Sequence, residues 1–240
     1  MKLSNIMKTK GRFFTLTLAG LSFLACGLFA FEGKITMRAI DLAGDAEPRN
    51  VTLHAKGELL RLEPAAQNPK DKRAVTIIDH SQRKKTVLMP GRKAYTIKWF
   101  HGQVAEQMAV DFSQTQFKAA GVTEEIAGID AEKYTGTAQD EKYTELWVTK
   151  SLGKFLLDYP GMGEVDAVGS NIEQAAWSKF AYSQDFFVLR AVEYDRKGGA
   201  EKSRFEVTEI TRAKQQDSLF KIPEGYKEID APEGRNKQPR

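Results

Sequence analysis

The 240-residue chain has one cysteine and three histidines, and both scarcities narrow the chemistry. Cys26 has no second cysteine with which to form an intrachain disulfide. His54, His80 and His101 are scattered, and no two stand at the H-x-x-x-H spacing that sets both rings on one helix face for zinc. His54 falls on the polar side of a strand pattern and the other two fall at strand exits, so exposed or turn positions are expected for all three. No serine sits in a G-x-S-x-G string, and Ser151, in Thr149-Lys150-Ser151-Leu152-Gly153, lacks a strand–elbow–helix context. Gly161-Met162-Gly163 and Gly198-Gly199 lack the Lys-Ser/Thr of a phosphate loop and read as turns. Strand–helix–strand rhythm is absent, which excludes a dinucleotide-type sheet or a TIM barrel. No Pro/Ser-rich linker or internal repeat divides the chain. The expectation is a protein without metal, cofactor or catalytic residues, and not an enzyme.

The N-terminus is the most informative stretch. Lys2, Lys8, Lys10 and Arg12 precede Phe13 to Phe29, which contains no charge, and small Ala30 follows. That order of basic, apolar and small is an export signal over residues 1–30. These four cations are the whole surplus of 36 Lys+Arg over 32 Asp+Glu, so the chain from Phe31 onward is balanced at 32 of each sign. The basic overall charge therefore gives no argument for nucleic acid. Cleavage after Ala30 frees a periplasmic chain. The alternative is lipoprotein processing, with lipidation at Cys26 in Phe23-Leu24-Ala25-Cys26-Gly27 and anchorage to a membrane.

From Phe31 the dominant period is two. Phe31, Gly33, Ile35, Met37 and Ala39 alternate with Glu32, Lys34, Thr36 and Arg38, and Val51, Leu53 and Ala55 alternate with Thr52, His54 and Lys56. Such alternation marks half-buried strands of an antiparallel sheet. Strands are also predicted at 59–63, 74–79, 84–89, 95–99, 131–137, 145–149, 186–194 and 204–211. Val104, Met108 and Phe112 recur every fourth residue, which predicts a helix running on to a C-terminal glycine at Gly121. A second helix is predicted over 171–182. Nine or ten strands then share one or two helices, so the sheet must stack, close, or curl around a helix. The curled form, a half-open barrel, leaves an apolar concavity that can accept a hydrophobic guest. The expected class is mainly β (α+β), with one domain over 31–230 and a flexible polar tail over 231–240.

Several strings resemble those of an exported bacterial family, domain of unknown function 4412. They are Phe31-Glu32-Gly33-Lys34-Ile35, Ile78-Asp79 with Thr86-Val87-Leu88-Met89-Pro90, Ile126 to Tyr134, Glu145 to Lys150, and Asp217-Ser218-Leu219-Phe220-Lys221-Ile222-Pro223-Glu224-Gly225-Tyr226. The resemblance implies the LolA/LolB-like lipoprotein-carrier superfamily, a half-barrel of antiparallel strands with an apolar interior. It implies as partners a lipid or lipoprotein acyl chain, or another envelope protein. Carriers of the LolA type begin with a helix, whereas a strand is expected here at Phe31. Ala131 stands where members of the family often carry cysteine.

The binding residues expected from alternation are Tyr95, Ile97 and Trp99 on one strand and Leu146 and Val148 on another, all facing a cavity. Thr96, Lys98, Glu145 and Thr149 are assigned to the opposite faces. The reading that competes with a ligand cavity is a barrel filled by its own side chains, serving as an interaction scaffold. The basic clusters Lys70 to Arg73 and Arg83 to Lys85 read as solubilising edges or as contacts for anionic headgroups.

Overall fold

The computed structural model describes residues 31–42, 47–66, 72–99, 115–138, 141–154 and 176–230. The export segment with Cys26, and also His101, lie outside them. Most of the described residues form one curved, unclosed sheet. Its strands are β1 (Glu32–Asp41), β2 (Arg49–Lys56), β3 (Leu59–Pro64), β4 (Val75–Asp79), β5 (Lys84–Met89), β6 (Ala94–Trp99), β7 (Thr115–Ile126), β8 (Ile129–Ala138), β9 (Tyr143–Thr149), β10 (Phe187–Tyr194), β11 (Glu201–Arg212) and β12 (Lys227–Glu228). Their order across the sheet is β12-β6-β5-β4-β3-β2-β1-β11-β10-β9-β8-β7. Two meanders, β1–β6 and β7–β11, are therefore joined where β1 pairs antiparallel with β11.

The alternating residues of the strands build one inner face. In one half the register sets Ile210, Ile35, Leu53, Leu62, Thr76, Val87 and Thr96 in a continuous row across β11 and β1 to β6. In the other half it sets Ala39, Phe205, Ala191, Leu146, Tyr134 and Ala119 in a row from β1 to β7. Ile35, Leu62, Ile78 and Leu146 on this face are all 0% exposed. Each such side chain contributes about 1.5–3 kcal/mol on burial, so this face is the main source of stability.

A single α-helix stands among the described residues, α1 (Ala176–Ser183), overlapping the range predicted for the second helix and ending one residue beyond it. Trp177 and Ala181, one turn apart, are both buried. Trp177 packs on Phe205 of β11 at 5.8 Å, and Phe180 stacks on Phe117 of β7 at 4.7 Å. The helix ends where Asp185 takes a positive φ and Phe186 N–H reaches back to the Ala181 carbonyl. No helix among the described residues is long and apolar enough to cross a membrane.

The first predicted helix is corrected where it can be seen. Residues 104–114 lie outside the described set, but Thr115 to Gly121 belong to β7, paired with β8 from Thr115 opposite Ala138. Gly121 does adopt the left-handed conformation expected of a helix-ending glycine, with φ 67°. It uses that conformation at an irregularity in the β7–β8 ladder, between Ala119 and Thr123. The hairpin that follows turns on Ala127 and Gly128, both at positive φ, the geometry of a two-residue turn matched to strand twist.

Candidate functional site

The five residues expected to share a cavity do not share a face. Leu146 and Val148 lie on the inner face of β9 and are 0% and 1% exposed. On β6 the inner positions are Ala94 and Thr96, both buried, because Thr96 pairs with Val87 in the row that contains Leu62. Tyr95, Ile97 and Trp99 consequently face outward, and Trp99 is 59% exposed. Alternation defines two faces of a strand without saying which is inside. Here threonine, with its methyl group, took the inner place that the aromatic residues were expected to hold.

The inner face carries an aromatic cluster beneath α1. Tyr134 lies 5.4 Å from Phe180 and 5.3 Å from Phe186, ring centre to ring centre. Phe117 closes over Gly136, where an added Cβ would stand 2.8 Å from its ring. Glycine at that position of β8 is therefore what lets the ring lie flat against the sheet. Within the other half of the inner face, the charged side chain of Lys85 is buried to 4% exposure.

The outer face is organised differently in the two halves. Across β8 to β11, Lys133, Trp147, Arg190 and Glu206 stand in one row. The indole of Trp147 is sandwiched between Lys133, at 4.8 Å, and Arg190, at 5.0 Å. Lys133 pairs with Glu145 at 2.7 Å, and Arg190 pairs with both Glu206 and Glu124 at 2.9 and 2.8 Å. Two cations over one ring, each held by carboxylates, keep an outward tryptophan 7% exposed.

Across β1 to β6 the outer face is crossed by the chain's own C-terminal segment. Leaving β11, Gln215 donates its N–H to Glu32 at 2.8 Å and shares a hydrogen bond with His54 at 2.9 Å. Lys56 donates to the Gln215 carbonyl and pairs with Asp217. That pairing raises the Lys56 pKa and lowers that of Asp217. Asp217–Phe220 forms a turn of 3-10 helix, and Arg61 donates to the Leu219 carbonyl at 2.7 Å. The strap then reaches the sheet edge, where Lys227 N–H bonds to Lys93 and β12 runs parallel to β6. On the way it passes β4 and β5, whose outward residues Ile77, Thr86 and Leu88 are 5%, 2% and 1% exposed.

The histidines have two different fates. His54 is on the outer side of β2 as expected, but is held by the strap. His80 follows β4 and is half-buried, and burial pushes its pKa down to about 4 despite the opposing charge of Asp79. Among the described residues no group of three His, Cys, Asp or Glu could hold a metal ion.

An open, curved antiparallel sheet with a helix on its inner face and its own terminus across its back is a half-barrel, closed at neither edge. The chain belongs to the family described as "Domain of unknown function (DUF4412)", whose model matches residues 31–226. No curated protein matches it. Among solved structures it is similar to an uncharacterized conserved protein from Thermus thermophilus, with 14% identity, 83% of this chain and 91% of that one covered, and a TM-score of 0.46. It is also similar to a LolA superfamily protein from Nitrosomonas europaea, with 12% identity, 80% and 89% covered, and a TM-score of 0.30. A third similarity is to the Pseudomonas aeruginosa MucA/MucB complex, with 12% identity and a TM-score of 0.44. There 82% of this chain is covered, and it spans 58% of that chain.

Proposed function

We propose that the protein is a non-catalytic cell-envelope protein that takes a hydrophobic ligand, a lipid, an acyl chain or a lipoprotein tail, on the inner face of the half-barrel. The observation that carries this reading is the inner face itself. It carries the apolar core cluster and curves without closing, so the two edges of the sheet can move apart around a guest while the ladder between neighbouring strands stays intact. The export-type N-terminus supports a periplasmic location, with anchorage through Cys26 as the alternative. Purification from the envelope of the native host, followed by mass spectrometry of the extracted lipids, tests the reading. An acyl-bearing species at constant ratio to protein, together with saturable binding of a fluorescent fatty acid, is expected. Recovery of protein with no such species and no probe binding would refute it.

The second reading is a filled scaffold that meets an envelope protein. It is favoured by Ile35, Leu62, Ile78, Leu146 and Leu189, all 0% exposed beneath the chain's own neighbouring side chains. The same lipid extraction separates the two readings, because a filled barrel yields none.

A further inference from the structure

The strands β1 to β6 alternate in direction, so the end of β1, the entries to β2 and β4, and the β5–β6 turn all meet at one end of the sheet. Arg38, Arg49, Lys72, Arg73, Arg92 and Lys93 are all at this end. Lys72 lies over the β5–β6 turn, its Cβ 3.6 Å from where a side chain at Gly91 would begin. Within this basic rim is a recess of about 440 Å³, lined by Arg38 and Arg73 with Glu47, Pro48, Asn50 and Ala65 among its walls. The Ala65 N–H bonds to the Asn50 carbonyl at 2.7 Å, tying the entry to β2 to the chain leaving β3. The volume falls within the range of about 300–1,000 Å³ usual for small-molecule sites.

The charges favour an oxyanion. Among the described residues that line the recess, Arg38 and Arg73 are cationic and Glu47 alone is anionic, and the adjacent Glu63 is paired with Arg61. Arg38 and Asn50 are opposite one another on the outer face of β1 and β2, so the recess is separate from the apolar inner face. Guanidinium groups present forked donors that match phosphate oxygens, and the surrounding cations add a long-range attraction for the same charge.

We propose that this recess binds a phosphate group, gripped between Arg38 and Arg73. Such a group can come from the head of an anionic lipid or from free phosphate, and the site does not depend on what the inner face binds. Calorimetric titration of the exported protein with dihexanoyl phosphatidic acid, and separately with inorganic phosphate, reads it directly. Saturable binding is expected, weakened about tenfold or more by Arg38→Gln and by Arg73→Gln, since each removes charge-assisted hydrogen bonds. Phosphatidic acid bound more tightly than inorganic phosphate assigns the lipid as the source, and equal binding assigns free phosphate. If the Arg73→Gln chain fails to melt cooperatively, Arg73→Lys keeps the charge and is expected to bind more weakly than the parent, because an ammonium lacks the fork. The proposal is overturned if neither phosphate compound binds, if binding survives both substitutions, or if dihexanoylglycerol binds as tightly as phosphatidic acid.

Discussion

His80 makes stability depend on pH in a way that can be isolated. Its pKa is lowered from the usual 6.5 to about 4, the first cause being burial, with Asp79 opposing. The unfolded chain therefore binds a proton at a pH where the folded chain does not. Stability from the neutral ring is present above pH 6.5 and is lost as pH falls through that value towards 4. With one pKa unit equal to about 1.36 kcal/mol, the full loss is roughly 3 kcal/mol, and about 2 kcal/mol of it falls between pH 7.5 and pH 5. Urea unfolding of the parent and of His80→Gln at these two pH values measures the difference. The parent should lose about 2 kcal/mol more than the variant over that interval. Parallel losses would show that the ring is as well solvated in the fold as in the unfolded chain, and the reasoning would fail.

Leu62→Ala, at a fully buried inner position, should cost about 2–5 kcal/mol. Trp99→Ala, at a site 59% exposed, should cost about 0.5 kcal/mol or less by the same urea titration. Gly136→Ala should destabilise by about 1–3 kcal/mol and shift the near-ultraviolet circular dichroism of the aromatic cluster, since the new methyl meets the Phe117 ring. Truncation after Lys214 removes the strap that runs from β3 to β6 past the outer side of β4 and β5. Thermal melting should fall by an amount equivalent to roughly 2–5 kcal/mol, with new binding of a hydrophobic dye.

Most of the strands were legible because their local alternation agrees with the face the sheet buries. Ile35 and Leu53, for instance, could be placed on one side from their neighbours alone, and the register puts them opposite each other. The choice of face on β6 was not legible. Its inner side places Thr96 in the core and its outer side leaves Trp99 exposed, so the polarity of the one and the size of the other gave the wrong order. β7 was missed because the helical stripe of Val104, Met108 and Phe112 was carried on to Gly121, and the partner that decides the strand at Phe117, Gly136, is in another element. The string from Asp217 to Tyr226 stood out in the sequence, but its path across the outer face depends on Glu32, His54, Lys56 and Arg61, which are remote along the chain. Arg38 and Arg73 likewise meet only through register.

The central position of β1 has a consequence for the order of folding. This strand opens the domain in sequence and pairs on one side with its neighbour β2, but on the other side with β11 near the far end. Thr36 and Thr208, which meet across that seam, are 172 residues apart. The β1–β6 meander can form early from local hairpins, yet it must wait with the edge of β1 open until β11 arrives. Closing so long a loop is slow, and an unpaired strand edge during that interval invites pairing with another chain. A half-sheet of β1 to β6 with that edge open is thus the form exposed to edge-to-edge pairing. A factor that shields that one edge for the duration would leave the finished protein unchanged, because β11 covers the same edge in the fold.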